Sequence, residues 1–422
     1  MDSLNLGFSA DDETLLERVQ RQTFRYFWEG AHPASGWAYD RRLTAGAARN
    51  DLVSTAGVGF GIMVLIVAAE REWLSRATVI ERLDLILTAL ENAPRFHGAF
   101  SHFLNGKTGE AVSFSKMDDG GDIVETSLLM QGVLCARQYF TRDTPSESAI
   151  RDKCQKLWNA VEWNWYTKSG RKTLYWHWSP KYQFRINLPV RGWNEGIIAY
   201  VMAAGAERPI EPTVFHNGFA LNGGFRNEEP RYGMILTLGQ PDGGPLFLVQ
   251  SAFCGLDPRA MKDRYADYWE QAVTHTRINI EHAVRNPKGH KGYGADCWGL
   301  SASHGPKKYL VGSPDHDRGI VTPTAALSSM PYAPLESLRA MRHFLDFQNG
   351  KLWGRYGFVD AFASDGSWIS KTCLAINQGP IIAMIENFRS GLLWKLFMSA
   401  PEIQTGLDRL DFMPRSSFAQ NP

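Results

Sequence analysis

Apolar residues recur at helical spacing along most of this chain, which restricts it to a set of helices joined by long connections. The spacing predicts helices over Asp12–Glu29, Ser54–Glu70, Ser75–Asn92, Asp122–Phe140, Ser146–Trp165, Trp193–Ala204, Met261–Ala283, Pro334–Gln348, Leu374–Phe388 and Leu392–Ser399. A further short helix is expected near Ala325–Ser329, and Ser75, Asp122 and Ser146 stand where N-caps belong. Strand signals are confined to Tyr232–Leu238 and Pro245–Val249, which flank Pro241-Asp-Gly-Gly244 and predict one small hairpin. The expected class is all-α.

A chain of 422 residues is long enough for one large domain or two to three ordinary ones. No low-complexity linker divides it and no fixed-period repeat is visible, so one domain over residues 1–422 is the simplest organisation. The connections His97–Asp119, Trp165–Gly192, Gly205–Arg231, Asn286–Thr322 and Gly350–Lys371 are rich in Gly, Trp, Tyr, His and Asp. Long ordered loops in a compact domain usually carry function. An α/α barrel suits this layout, with loops at one end building a cleft.

With 45 basic against 44 acidic side chains and no Lys/Arg block, neither nucleic acid nor an anionic membrane is an expected partner. Lys288–Lys291 is short and glycine-flanked, and reads as a solvated loop. The longest apolar run, Val58–Ala69, is too short to span a bilayer. Met1–Glu17 is acidic and polar and lacks the features of an export signal. The expected location is therefore the cytoplasm, or the periplasm for a mature form whose signal has been removed. Five widely spaced cysteines fit neither a zinc site nor a disulfide framework and read as buried free thiols. The 14 Trp, 14 Tyr and 23 Phe exceed what regular apolar periods require, and loop-borne rings of this kind offer flat faces on which sugars stack.

Met117-Asp-Asp-Gly-Gly-Asp-Ile-Val-Glu-Thr126 sets Asp118, Asp119, Asp122 and Glu125 around a helix start. Asp122 and Glu125 share a helix face, and Gly120-Gly121 lets the chain turn sharply before it. Crowded carboxylates repel, so at least one should keep its proton above the usual pH. Glycosidic cleavage takes one protonated and one ionised carboxyl, which makes this a candidate site. A plain capping box, with Asp122 as cap and Glu125 three residues on, accounts for the same residues.

Two more acidic positions lie among aromatics. Glu195 in Gly192-Trp-Asn-Glu-Gly196 falls at a helix start beside Trp193, with Trp176, His177 and Trp178 upstream. It reads either as a dipole-favoured acid or as a general acid whose pKa is raised by apolar surroundings. Asp360 in Tyr356-Gly-Phe-Val-Asp-Ala-Phe362 has apolar neighbours on both sides, which favours a positioned base or sugar-hydroxyl acceptor over a solvated turn. Gly57-Val-Gly-Phe-Gly61 resembles a dinucleotide loop only faintly, lacks a preceding strand, and reads as small residues allowing close helix packing. Asp315-His-Asp317 reads as a hydrogen-bonded turn rather than a metal site.

Taken together, Asp119–Thr126, Gly192–Glu195, Tyr356–Phe362 and the segment from Trp298-Gly-Leu-Ser-Ala to Thr322-Pro-Thr-Ala-Ala resemble the bacterial glycoamylase-like domain of glycoside hydrolase family 144 and its relatives, the endo-β-1,2-glucanases. The resemblance runs from about Phe24 to Leu396. It implies an (α/α)6 barrel with a cleft at one end, to which the small β-hairpin is an excursion, and hydrolysis of linear β-1,2-glucan with inversion at the anomeric carbon. By position it implies Glu195 as general acid and Asp360 as general base, acting through a water or substrate-hydroxyl relay. Asp118, Asp122 and Glu125 then line the cleft, with Trp193, Trp298 and Phe358 as sugar-binding rings. Such a mechanism calls for no metal or organic cofactor. Two alternatives stay open: transglycosylation, as in the related domains of cyclic β-1,2-glucan synthases, and glucan binding without cleavage.

Overall fold

The computed structural model describes residues 8–48 and 50–413. Its helices are α1 (Ala10–Trp28), α2 (Thr55–Glu70), α3 (Arg76–Asn92), α4 (Ile123–Tyr139), α5 (Pro145–Asn159), α6 (Ile197–Gly205), α7 (Tyr268–Arg285), α8 (Pro323–Leu327), α9 (Pro334–Asp346), α10 (Ala375–Arg389), α11 (Leu392–Met398) and α12 (Pro401–Arg409). The central helix is α2, buried at every residue from Thr55 to Ala68 and packed against α1, α3, α4 and α10. A helix apolar on all sides has no face for water, so it belongs in the middle of a helical core. Glycines permit the close approach: a Cβ on Gly59 would lie 2.3 Å from the Leu128 carbonyl oxygen of α4, and one on Gly379 of α10 would lie 2.4 Å from the Phe60 Cβ. The core runs without interruption from Phe8 to Phe412. No helix among the described residues is long and apolar enough to cross a membrane.

The chain is helix-rich but not free of strands. Short antiparallel strands of two or three residues pair throughout the connections. Four of them feed directly into helices: Leu52–Ser54 into α2, Gly121–Asp122 into α4, Ile320–Val321 into α8 and Thr372–Leu374 into α10. Gly57-Val-Gly-Phe-Gly61 therefore does follow a strand, yet its glycines lie inside α2 and serve packing.

Several expected elements shift. The hairpin forms at Pro230–Arg231 and Met234–Ile235, because Tyr232 and Gly233, at φ 52° and 80°, adopt the left-handed pair that a tight hairpin turn requires. Leu246–Val249, expected as its second strand, is a 3₁₀ turn behind Pro245. The α5 cap is Thr144 rather than Ser146, with Pro145 at the first helical position, and the helix ends at Asn159 before a separate 3₁₀ turn at Trp163–Thr167. Helix α7 begins only at its cap Asp267, not at Met261.

Candidate active site

The N-terminal ends of α2, α4 and α10 and the segment entering α6 contribute to one cavity of about 160 Å³. Ala56 and Phe60 come from α2, Glu125 and Leu128 from α4, Asn377 from α10, and Glu195 from the turn before α6. Helix N-termini point unpaired N–H groups and positive dipole ends at whatever they surround, which favours carboxylates there.

Asp122 caps α4. Its Oδ1 accepts the Val124 and Glu125 N–H groups, each at 3.0 Å. Glu125 does not close a capping box; it reaches across to α2, where Oε2 accepts the Ala56 N–H at 2.8 Å. The capping reading thus holds for Asp122 alone, and Glu125 is left facing the cavity. Gly120 and Gly121 owe their identity to close approach rather than to a turn. A Cβ on the first would lie 2.1 Å from the Trp178 carbonyl oxygen, and one on the second 2.0 Å from the Tyr166 hydroxyl.

Two imidazoles thread the acidic cluster. The His102 Nδ1 lies 3.1 Å from Asp122 Oδ2 and 4.0 Å from Glu125 Oε1. The His177 Nδ1 lies 3.3 Å from Asp118 Oδ1 and 3.8 Å from Asp122 Oδ2. The result is an alternating row Glu125, His102, Asp122, His177, Asp118, set by pairing of the Gly121–Asp122 strand with His177–Trp178. Burial opposes charge on His102, but Glu125, Asp122 and Asp118 outweigh it and lift its pKa to about 9. Burial likewise works against the Asp122 carboxylate, and the two imidazoles reverse that, holding it below its usual value. Glu125 goes the other way: burial, with help from Asp122 and against His102, pushes it up to about 7.

Glu195 sits in a turn rather than in the first turn of α6. The Asn194 side chain donates to the Gly192 carbonyl and accepts the Gly196 N–H at 2.8 Å, so the helix starts only at Ile197. Burial lifts Glu195 to about 7, and the charges of Glu125 and Asp122 add to it. Asp360 is set behind the cavity wall. It is 2% exposed, its Oδ1 accepts from Asn377 Nδ2 at 2.7 Å and its Oδ2 from the His304 N–H at 2.6 Å. Burial pushes it to about 7 against both hydrogen bonds. Asn377 therefore joins Asp360 to the cavity that Glu125 and Glu195 line.

The three expected sugar-binding rings are elsewhere. Trp298 and Phe358 are fully buried, and Trp193 packs on Phe253 and Tyr268 with ring centroids 6.3 and 5.7 Å away. Trp298 and Phe358 have no face left for a sugar and are core residues, while Trp193 borders a separate cavity beside Gly239 and Pro245 rather than the one that Glu125 and Glu195 line. Asp296 pairs with Arg339 on the surface, and Asp317 accepts from His282, Tyr293 and the Gly319 N–H as a bonded turn. The sequence reading missed His102, Asn377 and Tyr309, the last a half-exposed ring that also lines the cavity. Only position in the fold brings them there.

A family model described as "Putative glucoamylase" matches residues 187–401, a span that includes Glu195 and Asp360. The chain belongs to the glycoamylase family. An endo-β-1,2-glucanase from Chitinophaga pinensis, solved with sophorotriose and glucose, is 46% identical with a TM-score of 0.93, covering 96% of this chain and 99% of that one. A family member of known structure from Bacteroides uniformis is 48% identical with a TM-score of 0.92, covering 96% of this chain and 98% of its own. An exo-β-1,2-glucooligosaccharide sophorohydrolase acting at the non-reducing end, from Parabacteroides distasonis, is 40% identical over 96% of this chain. The chain spans 58% of the length of that sophorohydrolase.

Proposed function

We propose that the chain hydrolyses β-1,2-linked glucan with inversion, as a single catalytic domain built as an (α/α)6 barrel. One observation carries the reading: Glu125 and Glu195 share a cavity, and Asp360 is one hydrogen bond behind its wall. Relatives named for β-1,2-glucan cleavage supply the substrate class.

In this reading Glu195 delivers its proton to the glycosidic oxygen as the bond to the anomeric carbon breaks. A water attacks that carbon from the opposite face of the ring, and its proton passes to Asp360. Inversion needs room for that water between the two carboxyls. Because both Asp360 oxygens are already engaged, the proton reaches it through a relay, with a substrate hydroxyl or a water beside Asn377 as the link. Glu125, and Asp118 at the end of the row, bind sugar hydroxyls; Asp122, expected to line the cleft, is fully buried with both oxygens engaged and instead positions His102 and the start of α4. The chemistry uses no metal or organic cofactor.

The test is Glu195→Gln, assayed for reducing ends released from linear β-1,2-glucan. General acid catalysis is worth about 10²–10⁴ in rate, so turnover should fall by that order. A folded variant with near-normal turnover removes Glu195 from the acid role, and a parent protein that releases no sugar overturns the hydrolase reading. Longer or cyclic products with few new reducing ends mark transglycosylation instead. The burial of Asp360 favours a second assignment, with Glu125 as the base, since Glu125 lines the cavity directly. Comparing Glu125→Gln with Asp360→Asn decides between them.

A further inference from the structure

We propose that Phe114 is a stacking platform for a pyranose ring of the bound glucan, at the rim of the carboxylate row. This rests on the glucan reading above and adds a binding residue that neither the sequence motifs nor the cavity lining includes.

Phe114 is 57% exposed. Single exposed apolar side chains are common on protein surfaces, so exposure alone decides nothing. What sets this ring apart is its support. It stacks on Phe103 at 5.6 Å with 20° between the planes, and lies 4.7 Å from the His102 ring. His102 in turn contacts Asp122 and approaches Glu125, which lines the cavity. Phe114 is therefore two contacts from a carboxylate of the row, held against Phe103 and His102 with more than half of its surface open.

The backbone fixes the ring from both sides. Val112 pairs with Phe103 across the neighbouring strand, and the Phe114 N–H donates to the Asp118 carbonyl at 2.9 Å. Asp118 closes the turn through its own N–H to Ser115, and its carboxylate is the end of the row, at His177. Residues 113–117 are all exposed, yet they are anchored at the strand and at Asp118. An aromatic ring pre-placed in this way loses little freedom on binding. A sugar offers an apolar C–H face to such a ring and hydroxyls to polar groups near it, and here His102 joins the ring to the carboxylate row. An apolar partner protein is a poorer match, because the His102 imidazole lies beside the ring and the carboxylates of the row lie just beyond it.

The experiment compares the parent protein, Phe114→Ala and Phe114→Trp on sophorotriose and on long β-1,2-glucan, with thermal unfolding as the check on folding. Loss of a stacking contact should raise KM on long glucan about tenfold with kcat little changed, and Phe114→Trp should restore it. A folded Phe114→Ala with unchanged KM on both substrates overturns the platform, and so does rescue by Phe114→Leu to the same degree as by Trp. If Phe114→Ala misfolds, Phe114→Trp in the Glu195→Gln background gives a second readout. Added glucan should then change fluorescence beyond the change seen with Glu195→Gln alone, and no such difference removes the platform. A parent that releases no sugar takes the glucan reading down and the platform with it. An active parent with an indifferent Phe114→Ala removes the platform only.

Discussion

Gly59 of α2 and Gly132 of α4 meet backbone to backbone, so that a Cβ on Gly132 would lie 2.2 Å from the Gly59 carbonyl oxygen. This contact fixes how near the two helices run, and their spacing lets Glu125 reach the Ala56 N–H at the start of α2. Gly132→Ala has no flexible side chain to push aside, only backbone. Overpacking of this kind costs about 1–3 kcal/mol, and the upper end is expected here. Urea unfolding measures the loss, and glucan turnover should fall further than stability alone explains, because the carboxylate at the other end of α4 moves. A variant as stable and active as the parent would show that the helices can separate freely.

The helices were legible because burial follows periodicity: α2, with no polar face, and α9, whose buried Leu338, Met341 and Phe344 recur at helical spacing, both declare themselves in the sequence. Helix α12 was missed because its nine residues leave only Ile403, Gly406 and Leu407 buried, too few for a period to show. At Trp193-Asn-Glu-Gly196 the apolar spacing runs on past a turn that the Asn194 side chain builds, so the helix start read too early. The carboxylates were legible as chemistry. Their partners were not, since His102, His177 and Asn377 join them through strand pairing and helix crossing rather than local spacing. The tryptophans misled for a related reason: composition gives the number of rings, and only packing decides which keep an open face.

The pH profile follows from the same burial. Glu195 as acid must hold its proton, so kcat/KM should fall as pH rises through about 7. Asp360 as base must be ionised, so activity should also fall as pH drops through about 7. A narrow bell centred near neutrality is expected, reporting values that belong to the group of carboxyls rather than to either alone. Glu125→Gln removes a negative charge that raises Glu195, and should move the alkaline limb to lower pH. An unmoved limb would show that the limb belongs to another group.

His102 should remain an imidazolium at neutral pH, because Glu125, Asp122 and Asp118 overcome its burial and raise it to about 9. Its folded value lies above the unfolded one near 6.5, so the stability it contributes is complete below about 6.5. That contribution fades as pH rises towards about 9. Denaturant unfolding of the parent should weaken across this window, and His102→Gln should flatten the dependence. NMR titration of the ring gives the same value directly. A His102 that titrates near the ordinary imidazole value would mean the carboxylates around it are not ionised together.

Glu386 of α10 is fully buried and is held by Arg71 through two hydrogen bonds of 2.9 Å, by Gln20 of α1 at 3.2 Å and by Ser390. Arg71 caps the far end of α2, so this carboxylate ties together α1, α2 and α10 at the end away from the cavity. A buried pair adds little over apolar replacements of the same shape, but removing one partner strands the other. Glu386→Ala frees an Arg71 that is partly exposed and keeps Glu17 and Glu13 nearby, so it should cost about 1–3 kcal/mol, measured as a shift in the urea midpoint. Arg71→Ala leaves the fully buried carboxylate with only the uncharged Gln20 and Ser390, and should cost more, about 3–5 kcal/mol. The double variant should be less damaged than the two single losses added, because neither charge is then left alone. Strict additivity would show that Arg71 and Glu386 act separately, and that the Gln20 and Ser390 contacts carry this end of the bundle.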